Sequence, residues 1–222
     1  MNNTAVAPRE AALSPDLIRH DGRNRRSADT RRRIIEAART MISESGTAPT
    51  VVGVARRSAV SVRSVFQHFG DVESLFVTVF DDVREGVLVF GSVDADASLP
   101  DRIDAVVDHL AEVFEQVVPL RIAAGQFADT NRALVERREA VQRDARDFLG
   151  DAFSVEFAEQ DEPARAEMSA AIEAALSIDS WILLRRGSRL DQERAKAVWR
   201  RMLTALFDHA RADGERVEMA HD

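Results

Sequence analysis

The sequence predicts an all-α protein in which a small N-terminal domain of three helices is joined to a larger C-terminal helical bundle. Apolar residues recur at three- and four-residue intervals along most of the chain, and no run alternates in the manner of a strand. Charge divides the chain as well: residues 19–69 carry 11 Arg against 4 acids, whereas residues 70–222 carry 18 basic and 32 acidic residues. With 222 residues the chain is long enough for two such parts.

The composition excludes several kinds of site and location. There is no Cys, which rules out disulfides, thiolate zinc sites and cysteine nucleophiles. No stretch approaches the roughly 20 apolar residues of a membrane span, and the N-terminus lacks the apolar segment of a signal peptide. We therefore expect a cytoplasmic protein without membrane contact. Because there is no glycine-rich phosphate loop, nucleophile elbow or cluster of metal ligands, we predict no enzyme activity, no cofactor and no bound metal.

The N-terminal residues predict a basic arm. Residues 1–24 mix small and polar side chains with no clear period, so we expect them to be disordered. The arginine-rich run 19–33 leads into the first helix. A solvated tail is one interpretation of this run. We prefer contact with phosphates, with Arg31 and Arg32 as candidates, because basic arms bind nucleic acid by displacing counterions.

Three short helices are predicted within a domain that covers residues 25–75. The first ends near Gly46 and has apolar residues at helical spacing, namely Ile34, Ala37, Ala38, Met41 and Ile42. Thr50 caps a second helix over 51–58, and Ser61 caps a third that ends near His68, since both hydroxyls can accept from a free backbone N–H. Two short helices joined by a tight turn form a helix-turn-helix.

The stretch SVRSVFQHF, residues 61–69, combines a core face with hydrogen-bonding side chains. Val65 and Phe69, four residues apart, are expected to pack against the first two helices. Three outward side chains then suit bases in the major groove, with Val62 for thymine, Arg63 for guanine and Gln67 for adenine. Side chains suited to phosphate oxygens are Thr50, Ser61, Ser64 and His68. A helical hairpin that binds protein rather than DNA is the alternative interpretation.

Residues 32–76, RRIIEAARTMISESGTAPTVVGVARRSAVSVRSVFQHFGDVESLF, resemble the N-terminal DNA-binding domain of the TetR family of transcriptional regulators. The shared elements are IIEAA…G, T-x-x-x-VA and VSxxSVFxHF, which cover about a fifth of the chain. Three positions depart from the family pattern: Ala59 replaces a turn Gly, Phe66 replaces a phosphate-contacting Tyr, and Val72 replaces a Lys near the DNA. Phe66 is still counted among the candidate DNA-binding residues, because it occupies the position of that Tyr. The resemblance implies a homodimeric, ligand-responsive regulator, more often a repressor than an activator.

Only helical periodicity follows, and residues 76–222 are predicted to form a regulatory and dimerisation domain. After a fourth helix over 72–90 and a linker over 91–100, we expect helices over 103–117, 120–127, 131–158, 163–186 and 191–212. Pro119 is expected to end the first of these, because proline interrupts the helical hydrogen-bond ladder.

The last two helices carry broad apolar surfaces, which predict a four-helix dimer interface. The resemblance supports this prediction, because family members commonly dimerise through the same helices. The candidate interface residues are Ile178, Ile182, Trp199, Met202, Leu203 and Leu206. A helix buried inside its own subunit would show the same pattern, and that alternative stays open.

Residues between the helices of the body are candidates for binding a small-molecule effector, since pockets in bundles are lined in this way. They are His109, Phe114, Arg121, Phe127, Phe153 and Trp181. Each of them is also compatible with ordinary core packing. The expected partners are double-stranded operator DNA, a second copy of the chain and an unidentified small molecule. A helical adaptor without specific DNA binding is the alternative function.

Overall fold

The computed structural model describes residues 15–127 and 131–219, with side-chain surroundings for 24–127 and 131–212. Its helices are α1 (Pro15–Ser45), α2 (Val51–Arg57), α3 (Val62–Phe69), α4 (Val72–Gly86), α5 (Leu99–Ala124), α6 (Arg132–Ala152), α7 (Ser154–Ala158), α8 (Glu162–Ala175), α9 (Ile178–Ile182) and α10 (Gln192–Met219), with a π-helical segment (Leu183–Gly187) after α9. No strand occurs in these ranges, and the predicted all-α fold is confirmed.

The short helices of the N-terminal domain begin where the sequence places capping side chains. The Thr50 hydroxyl accepts from the backbone N–H of Gly53 at 3.1 Å, and the Ser61 hydroxyl accepts from that of Ser64 at 3.0 Å. Asp71 caps α4 in the same way, and this hydrogen bond from the backbone lowers the pKa of its carboxyl group. Each cap satisfies a donor that the first helical turn leaves free, so the helix starts are set locally.

The core of the N-terminal domain joins α1, α2 and α3. Ile34, Val54 and Val65 are almost completely buried, and Phe69 closes the same cluster. Ala59, in the turn between α2 and α3, has φ of 54°, in the left-handed region that glycine adopts more easily than alanine. An L-residue with a Cβ adopts this conformation at a cost, so the turn stores some strain.

The fourth helix connects the two parts of the molecule. It packs against α1 and α3, and Leu75, Phe76 and Val79 are fully buried. It ends at Gly86 rather than at the predicted residue 90. The predicted boundary between residues 75 and 76 therefore falls inside a continuous helix.

The body is built around α5, which packs against α1, α6, α9 and α10. Buried residues recur along the whole length of this helix, in agreement with its apolar sequence pattern. Trp181 of α9 lies against Trp199 of α10 with 4.5 Å between ring centroids, and both are fully buried. The two tryptophans thus join α9 to α10 in the core of the body.

Several predicted boundaries in the body were wrong. Pro119 lies inside α5. Its neighbours Val118 and Leu120 are buried, and their packing offsets the roughly 3 kcal/mol that an interior proline costs. The long helix expected over 131–158 is interrupted at Phe153, whose φ and ψ are −118° and 25°. The next one is interrupted before α9, where Ser177 forms a new cap.

The N-terminal arm also differs from the prediction. Helix α1 begins at Pro15, a residue favoured at the first helical position because its missing N–H is not needed there. Residues 15–24 are therefore helical rather than disordered. Residues 1–14 of the predicted arm lie outside the described part of the chain.

A buried arginine fastens three segments of the body together. Arg102 is 3% exposed and donates to the carbonyl oxygens of Ala97 at 3.1 Å and Ala152 at 2.7 Å. Its guanidinium also pairs with the carboxylate of Glu156 in α7. The end of the linker, the end of α6 and α7 are thereby held against α5.

Candidate nucleic-acid interface

Helix α3 has one face in the core and one in solvent. Val65 and Phe69 are buried, as predicted from their spacing. Val62 and Phe66 are 39% and 47% exposed, and Arg63 and Gln67 are exposed beside them. Within the described residues neither Arg63 nor Gln67 has a hydrogen-bond partner. The surface thus offers two free polar groups flanking an apolar pair, a combination suited to base edges.

Two of the candidate phosphate-binding residues, Thr50 and Ser61, already accept hydrogen bonds from backbone N–H groups as helix caps. Besides capping α3, the Ser61 hydroxyl lies 2.8 Å from that of Ser64. Thr50 is exposed while it caps α2, and His68 is half-buried with its ring 6.2 Å from that of Phe69. A hydroxyl can donate one hydrogen bond while it accepts others, so the capping role of Thr50 leaves a donor for a phosphate oxygen.

The two candidate arginines of α1 have different surroundings. The Arg31 guanidinium lies over the ring of Phe69, 5.1 Å from its centroid, which places this cation next to α3. Arg32 forms an exposed ion pair with Asp29 at 2.8 Å. Exposed pairs of this kind are weak, so Arg32 can exchange its partner for a phosphate at little cost.

One ion pair in this domain was not anticipated from the sequence. Arg57 of α2 binds both carboxylate oxygens of Glu44 in α1, each at 2.7 Å. The hydrogen bonds from Arg57 lower the pKa of Glu44. The adjacent Arg56 is exposed and has no partner in the described region. The sequence shows two adjacent arginines, Arg56 and Arg57. Helical spacing alone does not tell which of them forms an ion pair within the domain and which stays available to DNA.

The body contains a cavity of about 290 Å³. Of the predicted effector-binding residues, Phe114 and Arg121 line it. Further lining residues come from α4, which contributes Phe80, and from α6, which contributes Arg138 and neighbouring residues. A cavity between helices with mostly apolar walls has the character of a small-molecule site.

The other four predicted effector-binding residues do not line this cavity. Phe127 packs against Phe76 with 5.1 Å between ring centroids, and Phe153 packs against Phe207 at 4.9 Å. Trp181 is fully buried and donates from Nε1 to Glu115 at 3.0 Å. These aromatic residues fill the core, because a helical pattern shows which residues are buried but not which ones face a void.

His109 has unusual surroundings. Its ring packs beside the stacked rings of Phe90 and Phe148, with centroids 6.5 Å and 5.5 Å away. Its Nε2 atom is buried without a hydrogen-bond partner among the described residues. Phe90 lines the cavity, so His109 lies behind the cavity wall rather than in it.

The predicted dimer residues separate into two groups. Trp199 and Leu203 are fully buried within the subunit, so the prediction that they face a second chain was wrong. Ile178 and Ile182 are half-buried, and Ile178 lines the cavity. Met202, which is 38% exposed, and Leu206 lie on the neighbouring face of α10.

That face forms an apolar groove between two helices. We call it the α8–α10 groove, and its lining residues are Ala171, Ala174, Ala175, Met202, Ala205, Leu206 and His209. Most of these side chains are small, so another helix could approach closely. The apolar surface that the sequence predicted on α10 is therefore present, one helical face away from Trp199 and Leu203.

Polar contacts connect the helix that follows the DNA-binding segment to the cavity wall. Arg137 of α6 binds both carboxylate oxygens of Asp81 in α4, at 2.5 and 2.8 Å. Arg84 of α4 pairs with Asp144 of α6 at 2.7 Å. The same turns of α6 carry residues that line the cavity. A displacement of α6 would therefore act directly on α4.

The described ranges lack two other features. No helix there is long and apolar enough to cross a membrane. No group of three or more His, Asp or Glu side chains in the same ranges is placed to hold a metal ion.

Comparison with known proteins agrees with the geometry of the N-terminal domain. Residues 34–79 match the model of the bacterial regulatory proteins of the tetR family. No curated protein sequence matches the chain. The crystal structure of a transcriptional regulator from Rhodococcus sp. Rha1 is similar with a TM-score of 0.64 and 16% sequence identity, covering 81% of this chain and 96% of that one. At this identity the likeness shows a shared fold that extends from the N-terminal domain into the body.

Proposed function

We propose, given that the chain belongs to the TetR family of bacterial regulatory proteins, that it is a homodimeric repressor released from DNA by a small molecule. Its general role as a DNA-binding regulator follows from the family domain. The dimer, the repression and the response to a ligand are the parts that we propose. A regulator of chromosomal DNA would act in the cytoplasm.

The observation that carries the DNA-binding proposal is the solvent face of α3. Arg63 and Gln67 are exposed and have no hydrogen-bond partner in the described part of the chain, while Val65 and Phe69 fix the helix to its domain. Arg31 adds positive charge next to this helix. An exposed recognition helix flanked by arginines suits a major groove bordered by phosphates.

Replacing Arg63 tests this role. Arg63→Ala should weaken operator binding by about 1–3 kcal/mol and relax the preference at one base pair, if Arg63 contacts guanine through two hydrogen bonds. Arg143→Ala, an exposed arginine on α6, is the matched control. Selection of bound sites from a random library measures both effects. An unchanged site profile for Arg63→Ala would exclude it from base recognition, and absence of DNA binding by the wild type would favour the adaptor alternative.

The α8–α10 groove supports the dimer proposal. Dimeric helix-turn-helix proteins bind repeated half-sites, and an apolar groove lined by small residues suits the same groove of a second copy. Ala205→Glu should place a carboxylate in the interface twice, once from each subunit, and yield a folded monomer. Ala197→Glu, on the same helix outside the groove, is the control. Sedimentation velocity distinguishes the two states, and a dimeric Ala205→Glu protein would contradict the proposed interface.

The proposed ligand response uses the connection between α6 and α4. A ligand in the cavity contacts α6, and Asp81 and Arg84 transmit a shift of that helix to α4 and the DNA-binding domain. The ligand can act only through a difference in affinity between the two arrangements. Asp81→Asn should therefore weaken the coupling, measured as the ratio of operator affinities with and without ligand, while leaving ligand binding itself intact.

A further inference from the structure

The chemical character of the cavity is set first by its apolar walls. Phe80, Phe90 and Phe114 contribute rings, and Val117 and Leu120 contribute aliphatic surface. A molecule without an apolar portion would leave these walls poorly covered, so the cavity favours a ligand with a hydrophobic body. With about 290 Å³, it lies at the small end of the range for organic ligands.

Most polar side chains in the lining already have partners. Arg121 pairs with Asp179 at 3.0 Å. Arg146 binds both carboxylate oxygens of Glu173, at 2.7 and 3.0 Å. Ser177 uses its hydroxyl within its own turn. These groups are satisfied without a ligand, so they do not indicate where the polar end of a ligand would bind.

Two lining residues are exceptions, and both belong to α6. Arg138 and Gln142 line the cavity, and neither has a hydrogen-bond or ion-pair partner in the described ranges. They are four residues apart, so they lie one turn from each other on the same helical face. Arg138 is half-buried, which removes part of the water that would otherwise satisfy its guanidinium. Gln142 is exposed at the edge of the lining. This α6 pair therefore offers unused N–H donors close enough together to bind one ligand group.

The charge balance of the lining indicates the sign of that group. Arg121, Arg138 and Arg146 face two acids, Glu173 and Asp179, which leaves one positive charge in excess. The excess lies at Arg138, because the other two arginines are paired. An anion at Arg138 would make the lining neutral, whereas a cation would add to an uncompensated charge.

We infer that the effector is a small carboxylic acid with an apolar, ring-sized body, whose carboxylate is bound by Arg138 and Gln142. This inference rests on the ligand response proposed above. A guanidinium and a carboxamide supply parallel N–H donors for a carboxylate. A phosphate monoester carries nearly two negative charges at neutral pH and would need a second free cation, which the described lining does not offer.

The experiment compares four probes with one apolar body: phenylbutyrate, phenylbutanol, phenylbutylamine and phenylbutyl phosphate. Isothermal titration gives their affinities for the full-length protein. We expect phenylbutyrate to bind about tenfold or more tightly than the alcohol, since a hydrogen bond to a charged group is stronger than a neutral one. In Arg138→Gln this preference should fall below about threefold. The control Arg143→Gln changes an exposed arginine of the same helix outside the lining and should keep the full preference.

Several results would overturn the inference: equal binding of the acid and the alcohol, stronger binding of the phosphate or the amine, no binding of any probe at millimolar concentration, or the same loss in both arginine variants. Circular dichroism melting of the unliganded variants separates loss of binding from loss of folding. Operator release is measured separately. Binding of phenylbutyrate that depends on Arg138 but leaves operator affinity unchanged would support the inference and contradict the ligand response. Equal operator release by the acid and the alcohol would contradict the inference alone.

Discussion

The left-handed turn residue Ala59 allows a quantitative test of how the recognition helix is held. An L-residue in this region costs roughly 1–2 kcal/mol, and glycine avoids that cost. Glycine in turn loses about 0.5–1 kcal/mol through the greater freedom of the unfolded chain. Ala59 is exposed, so its methyl group contributes no core packing. Ala59→Gly should therefore stabilise the protein by about 0.5–1 kcal/mol.

Thermal unfolding followed by circular dichroism measures this change. For a chain of 222 residues, the gain corresponds to an increase in melting temperature of about 1–4 °C. Ala140→Gly, in the interior of α6, is the matched control and should lose about 1 kcal/mol, because its backbone is helical. Hydrogen exchange of the α3 amides shows whether the gain arises at the turn.

The opposite substitution completes the test. Ala59→Val should destabilise the turn, since a β-branched side chain tolerates positive φ worse than alanine does. An Ala59→Gly protein that melted at or below the wild-type temperature, while Ala140→Gly showed its expected loss, would contradict the strain assigned to this turn. Operator affinity should stay unchanged in Ala59→Gly, because the position of α3 is preserved.

Three further predictions concern a buried arginine, a helix cap and an ion pair. Arg102→Met should cost about 3–5 kcal/mol in denaturant unfolding, because Glu156 keeps an unpaired carboxylate at 14% exposure, and adding Glu156→Met should restore the part of the loss that comes from this carboxylate. Ser61→Ala should cost about 1 kcal/mol by the same measurement, since it removes the cap of α3. The hydrogen bonds from Arg185 lower the pKa of Glu115, so this pair stabilises the fold above the unfolded pKa of about 4.3 and loses that effect as pH falls through the lower folded pKa. Glu115→Gln should therefore melt at a temperature that falls less steeply with acidification than that of the wild type.

The sequence was sufficient for the N-terminal domain because the relevant signals there are local. The caps Thr50 and Ser61, the turn at Ala59 and the spacing of Val65 and Phe69 each act within a few residues. Side chains that the pattern placed toward solvent, such as Arg63, are exposed in the structure. Local rules and tertiary packing agree in this segment, which is why its prediction from sequence succeeded.

In the body, local sequence patterns do not determine how the helices are oriented or where they break. Helix α10 is apolar over a broad arc, and a helical wheel cannot tell which part of the arc faces its own subunit. Trp199 and Leu203 face inward, whereas Met202 and Leu206 do not. The break at Phe153 has no capping side chain to announce it. Both features depend on packing between helices that are distant in sequence.

The cavity could not be predicted for a related reason. Whether an aromatic residue fills a core or borders a void depends on how well its neighbours fit, and composition carries no such information. Phe114 borders the cavity while Phe153 does not, although both are buried aromatic residues. That Arg138 and Gln142 have no partner among the described residues is likewise a result of the tertiary structure, since it depends on how the other polar lining groups pair.

Because α4 belongs to both parts of the molecule, the regulator does not divide into exchangeable modules. A graft that joined another DNA-binding domain at residues 75–76 would cut a helix whose buried side chains lie on both sides of the junction. Gly86 is the more suitable junction, since it ends the helix and lies before the cavity residues Leu88 and Phe90. Even with that junction, the grafted segment would replace Phe80 by its own residue, which would change part of the cavity wall. Operator preference and the preference for the proposed effector would therefore be inherited together in such chimeras.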